Sequence, residues 1–147
     1  MARFTDMFTE LVRVEIELWN ELDAHLLSTA GITLPQFQAL DAIRGHEGVA
    51  RVQDISRRMG ITVGATSKVV DRLERDGLAV RTANPTDRRS SIVSLSDRGA
   101  SALAIADDAA EGHLRDELGG VLSDDDAGRL LGELVSLRAH SRVEVAK

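Results

Sequence analysis

Apolar residues recur at threes and fours from Phe4 to about Leu27, as Phe4, Phe8, Leu11, Leu18, Leu22 and Leu26, with Val12, Ile16 and Trp19 widening the stripe. That spacing predicts one long amphipathic helix. Gly31 can end it, Thr33 can cap a second helix with Gln36 reaching back, and Pro35 suits a first turn. The second helix carries Phe37, Leu40 and Ile43 to about Arg44, where Gly45-His46-Glu47-Gly48 breaks it. From Arg51 a short helix puts Val52, Ile55 and Met59 on one face and stops at Gly60, a residue at home in the left-handed conformation of a tight turn. Thr62 can cap the next helix, whose inward residues are read as Ala65, Val69, Val70 and Leu73, with a stop near Asp76-Gly77. Helix, short glycine turn, helix is the helix-turn-helix pattern, although many short helix pairs are only packing.

The next stretch narrows the choice. Leu78–Thr82 and Ser91–Leu95 are short and rich in β-branched residues, and the polar segment Asn84-Pro85-Thr86-Asp87-Arg88-Arg89 lies between them. This predicts a hairpin with a basic tip. Ser96 then caps an Ala-rich helix to about Leu118, Gly119-Gly120 breaks the chain, and Ser123 with Asp124 to Asp126 opens a last helix carrying Leu130, Leu131, Leu134 and Leu137.

Composition changes this picture in two places. Aromatics are 3% of the 147 residues, so the core must come from Leu, Val, Ile and Ala, and the absence of cysteine removes disulfides, thiolate metal sites, cysteine nucleophiles and thiol redox sensing. The formal charge of -6 argues against a nucleic-acid partner as a whole-chain average. The average hides segregation: residues 51–98 hold ten Lys or Arg against six Asp or Glu, while the rest holds eight against eighteen. A basic middle between acidic ends fits a middle that meets a polyanion. No apolar run nears the roughly 20 residues of a membrane span, and the start does not read as a secretory signal, so a cytoplasmic chain with no membrane partner is expected.

The order of elements resembles the MarR family of winged helix-turn-helix transcriptional regulators. The likeness is carried by Ile61-Thr62-Val63-Gly64-Ala65-Thr66-Ser67-Lys68-Val69-Val70-Asp71-Arg72-Leu73-Glu74-Arg75-Asp76-Gly77-Leu78 and by Asp87-Arg88-Arg89-Ser90-Ser91-Ile92-Val93-Ser94-Leu95-Ser96-Asp97-Arg98-Gly99, which looks like that family's Asp-x-Arg wing. Ser96 stands where Thr is commoner and Lys68 where Arg is frequent, so Lys68 offers a point charge rather than a bidentate fork. The resemblance implies a mainly α (α+β) fold. A winged lobe over 33–96 would bind DNA, and the helices of 1–30 and 97–147 would form a dimerisation bundle.

On the second helix of the motif Gly64, Ser67, Lys68, Asp71 and Arg75 fall opposite the apolar stripe, with Arg72 on the flank. The expected DNA-contacting set is therefore Thr62, Gly64, Ser67, Lys68, Arg72 and Arg75 on this helix with Asp87, Arg88 and Arg89 in the wing. Read from the residues alone, the same face is equally a solvated one in which Asp71 and Arg75 form an ordinary i,i+4 pair. By resemblance Arg89 enters the minor groove and Asp87 braces the tip through a salt bridge. Arg57 and Arg58 touch the DNA backbone or stay solvated.

Phe4, Phe8, Leu130, Leu134 and Leu137 exceed what a small winged core can cover and are expected at a homodimer interface, which would match two recognition helices to a palindromic operator. The resemblance further implies a small phenolic or aromatic anion as ligand. Arg13, Trp19, Phe37 and Leu40 are its candidate pocket, though Trp19 and Phe37 fit the apolar stripes of their helices, and such residues are more often core than ligand wall. His25, His46, His113 and His140 lack metal-ligand spacing, and no cofactor or enzymatic motif is read. The rival reading is an architectural DNA-binding protein with no effector.

Overall fold

A computed structural model describes residues 1–145, with side chains to 141. Its elements are α1 (Phe4–Ala30), α2 (Leu34–Arg44), β1 (Val49–Arg51), α3 (Val52–Met59), α4 (Val63–Arg75), β2 (Ala79–Ala83), β3 (Ser91–Leu95), α5 (Asp97–Leu118) and α6 (Asp124–Val145). The fold is mainly helical with a three-stranded antiparallel sheet in the order β1-β3-β2. Contacts divide the chain into two compact units, the first ending at Glu111 and the second beginning at Gly112, so the division falls inside α5.

In the first unit the caps expected from sequence are made. Thr33 accepts from the Gln36 amide (3.3 Å) while Gln36 Oε1 accepts from the Thr33 amide (2.9 Å), and Asp23 of α1 accepts from the Leu34 amide at 2.7 Å. Three donors at the start of α2 are thus satisfied, each such cap contributing about 1 kcal/mol. Gly31 and Gly60 both take φ 70°, the left-handed turn that ends α1 and separates α3 from α4. The core is aliphatic, as the shortage of aromatics requires: Leu26, Ile32, Leu40, Ile43, Ile55, Val70, Leu73, Val93 and Leu103 are buried.

Three details differ from the sequence reading. Ala65 is exposed, and Thr66 takes the buried place, its hydroxyl donating to the Thr62 carbonyl at 2.8 Å. With the cap at Thr62, positions 66, 70 and 73 share the inward face, and Thr66 is tolerated there because its one polar group is satisfied locally. β2 starts at Ala79, because the Leu78 amide closes the end of α4 on the Leu73 carbonyl at 2.8 Å. β1 is the third. It is three residues long, too short to show alternation, and exists because it pairs with β3, with Ala50 opposite Val93.

The α5 N-terminus sits against the start of the hairpin. Ser96 Oγ accepts from the Gly99 amide at 2.9 Å and donates to the Gly77 carbonyl at 2.6 Å, while the Ser96 amide donates to the Leu78 carbonyl at 3.2 Å. Arg44 at the end of α2 pairs with Asp107 of α5 (2.9 Å) and with Asp41 (2.5 Å), and these hydrogen bonds raise its already high pKa. In the second unit Ser123 caps α6 by accepting from the Asp126 amide at 3.1 Å, and Arg115 pairs with Asp124 at 3.2 Å. Among the described residues no helix is long and apolar enough to cross a membrane.

Candidate nucleic-acid interface

α4 and the β2–β3 hairpin carry most of the residues singled out for DNA contact. Thr62 serves α4 as its cap, accepting from the Ala65 amide at 3.1 Å, so its side chain is occupied within the protein. Beyond it Gly64, Lys68, Arg72 and Arg75 are exposed and Ser67 is half-buried, all on the surface opposite Thr66, Val70 and Leu73. A Cβ at Gly64 would meet nothing within 4 Å, so this turn of α4 presents open backbone.

Asp71 does not pair with Arg75. Arg81, from the middle of β2, donates to Asp71 Oδ1 at 2.8 Å and lies 3.8 Å from Glu74, fastening the hairpin to the helix. The Arg81 side chain is about 29% exposed, and its Nε is buried with no hydrogen-bond partner, so Glu74 meets that edge as charge rather than as an aligned bond. This contact joins residues ten positions apart on different elements, which no local spacing rule could have found.

At the hairpin tip Asp87 was expected to brace the wing through a salt bridge. It does so instead by accepting from the Arg89 backbone amide at 2.9 Å, and no cation lies within ion-pair distance of it among the described residues. A short acidic side chain in a turn reaches its own backbone two residues on more readily than a neighbouring guanidinium. The base of the tip is held by Asn84, which is 9% exposed. Its amide group donates to Ser90 Oγ at 3.1 Å, and its Oδ1 accepts from the Thr86 amide (3.0 Å) and hydroxyl (2.8 Å). Arg88 and Arg89 are left exposed at the end.

The electrostatic consequence follows from which cations have partners. Arg51 and Arg57 lie beside Asp54, Arg58 pairs with Asp41, and Arg81 with Asp71 and Glu74. Lys68, Arg72, Arg75, Arg88 and Arg89 have no carboxylate within 4.0 Å among the described residues. The unneutralised charge of the winged lobe is thus concentrated on α4 and the hairpin tip, with α3's arginines compensated. Such an array can hold phosphates and offer donors to base edges.

The ligand-pocket candidates are not gathered in this way. Arg13 pairs with Glu10 at 2.9 Å, and Trp19 lines a shallow groove of about 280 Å³ along α1 with Glu15, Ile16 and Asn20. Phe37 is half-buried, and Leu40 is fully buried in the core. Of the dimerisation candidates, Phe4 and Phe8 on α1 are 85% and 63% exposed, and Leu130, Leu134 and Leu137 on α6 are also exposed.

This geometry has relatives. A sequence model of the MarR family matches residues 30–90, the region from the end of α1 through the wing tip. The HTH-type transcriptional regulator MhqR of Bacillus subtilis is 30% identical over 122 residues, covering 82% of this chain and 81% of that protein. The chain belongs to the MarR family. Some curated relatives match less of their own length: a 31% identical HTH-type regulator of B. subtilis is spanned over 46%. Among solved structures, the MarR-family regulator Sco3205 of Streptomyces coelicolor, in complex with DNA, superposes with a TM-score of 0.82 at 22% identity, covering 93% of this chain and 86% of that one. The organohalide-sensing regulator RdhR-CbdbA1625, in its 2,4-dichlorophenol-bound form, gives 0.81 at 17% identity, covering 95% and 82%. At these identities the structures establish the winged-helix fold of the MarR chain, and the named relatives are transcriptional regulators.

Proposed function

We propose that this MarR-family chain is a sequence-specific DNA-binding transcriptional repressor that binds a palindromic operator as a homodimer, in the cytoplasm, and is tuned by a small aromatic or phenolic anion. The observation that carries the reading is the set of five cations without carboxylate partners, Lys68, Arg72 and Arg75 on α4 with Arg88 and Arg89 at the wing tip, fastened together through Arg81 and Asp71. α4 enters the major groove, where Ser67 and Arg72 reach base edges and Lys68 and Arg75 hold phosphates, with Gly64 allowing close backbone approach. The wing reaches the adjacent minor groove, whose negative potential attracts Arg89.

One recognition helix buries too little surface for useful specificity, so two copies are needed, set roughly 34 Å apart. The exposed apolar side chains of Phe4, Phe8, Leu130, Leu134 and Leu137 supply the material for pairing. The modulating anion is supported by the family and by the exposed groove beside Trp19; Arg13 does not line that groove and is paired with Glu10. Leu40 and Phe37 back the helix rather than line that groove.

The test is fluorescence anisotropy with the chain's own upstream intergenic DNA and a scrambled duplex at one physiological salt concentration. A preference of about a thousandfold or more supports the regulator. Equal affinity for both duplexes would turn the reading to an architectural DNA-binding protein.

A further inference from the structure

The leading end of α4 is apolar, which the roles assigned above do not explain. Residues 61–65, Ile61-Thr62-Val63-Gly64-Ala65, are all exposed and none is charged. Ile61 and Val63 keep 38% and 48% of their surface in water. The Thr62 hydroxyl is engaged in capping, accepting from the Ala65 amide at 3.1 Å, and a Cβ at Gly64 would meet nothing within 4 Å. The backbone beneath these residues is fixed. Ser56 of α3, itself buried, donates its hydroxyl to the Ile61 carbonyl at 2.7 Å, and Thr66 donates to the Thr62 carbonyl at 2.8 Å. Single exposed apolar side chains are ordinary on a protein surface. Here three stand within five residues, on a rigid turn, at the head of a helix whose later turns expose Lys68, Arg72 and Arg75.

We infer that Val63 reads thymine, its side chain packing on the C5-methyl group of one thymine per half-site in the major groove. The inference rests on the proposed role of α4 as the helix that enters that groove. The N-terminal residues of such a helix are the ones that meet base edges. In the major groove adenine, guanine and cytosine present hydrogen-bond donors or acceptors, and thymine alone adds a methyl group. An isopropyl group held against the cytosine amino group would strip it of water and return no hydrogen bond, which is unfavourable. Against the thymine methyl, two apolar surfaces leave water together. Val63 is preferred to its neighbours because it is the first residue of α4 and stands four before Ser67, on the same side of the helix. Ile61 precedes the cap, and Ala65 brings a single methyl group on another side.

The experiment selects a preferred duplex from a random-sequence pool with the full chain, then exchanges its thymines for deoxyuridine one at a time. The exchange removes only the methyl group. In anisotropy at one salt concentration, one exchange per half-site should weaken wild-type binding about fourfold, the value of one buried methyl group. Val63→Ala should bind the thymine duplex at least about fourfold more weakly and no longer distinguish uridine from thymine at that position. Its Tm and salt dependence should match the wild type, because Val63 is exposed and uncharged. Exchange without effect at every thymine, or a sensitive thymine that stays equally sensitive in Val63→Ala, would overturn the assignment and leave the regulator reading intact. If the selection recovers no preferred duplex, the regulator reading fails and the assignment fails with it.

Discussion

Replacing Gly99 by alanine tests how tightly α5 is seated on the winged lobe. An added Cβ would lie 1.8 Å from the Leu78 carbonyl oxygen, 2.8 Å from its carbonyl carbon and 3.3 Å from its Cα. All three are backbone atoms, so no side chain can swing away. Relief requires about 1.5 Å of separation between α5 and the α4–β2 turn, which stretches the Ser96–Leu78 and Ser96–Gly77 hydrogen bonds. Overpacking typically costs 1–3 kcal/mol, and with backbone on both sides and two hydrogen bonds in the path a loss of about 3 kcal/mol or more is expected. For a chain of this size that lowers Tm by roughly 10 °C at fixed protein concentration, measurable by circular dichroism. Gly64→Ala is the matched control: it meets open space in a helix and should stabilise by about 0.5–1 kcal/mol. If Gly99→Ala melted within 2–3 °C of the wild type, the rigid seating of α5 on Leu78 would be refuted.

Three further outcomes are expected. Arg89→Ala should weaken operator binding by about 1–3 kcal/mol in anisotropy with little change in Tm, and a drop in sequence preference would distinguish groove insertion from a phosphate contact, which would instead reduce the salt slope by about 1. Arg81→Met removes the strut between β2 and Asp71, so operator affinity should fall about tenfold while random-duplex affinity falls less; equal losses on both would mean Arg81 contributes only charge. Asp126 is held ionised by the Ser123 hydroxyl and by Arg129, so its carboxyl titrates below the usual carboxylate range. A depressed carboxylate stabilises the fold above its unfolded value and loses that contribution as pH falls through the folded one, so α6 amide protection should decline only at strongly acidic pH, and Asp126→Asn should remove the dependence.

Much of the chain was legible as one dimension because its information is local. Periodicity at threes and fours located α1, α2, α3 and α4, the Thr33–Gln36 box, Thr62, Ser96 and Ser123 announced the caps, and Gly31 and Gly60 marked turns that need positive φ. Charge counted in segments, instead of over the whole chain, located the basic lobe. The caps, turns and apolar stripes depend on backbone geometry that neighbouring residues share, and the charge count needs only one continuous stretch of chain.

Tertiary structure decided whatever depends on residues that meet from different elements. β1 exists through its pairing with β3, and Thr66 replaced Ala65 in the core because packing of α4 against α2 and α3 decides which of its faces is covered. Asp71 stood on the exposed face of α4 with Arg75 as its obvious partner, but Arg81 reached it first from β2. Gly99 reads as an unremarkable glycine in a helix until the Leu78 carbonyl is found against it. Which arginines remain free to meet an anion is likewise a tertiary property, because neutralisation depends on distance in space, and a Coulomb interaction takes no account of how far apart two charges lie along the chain.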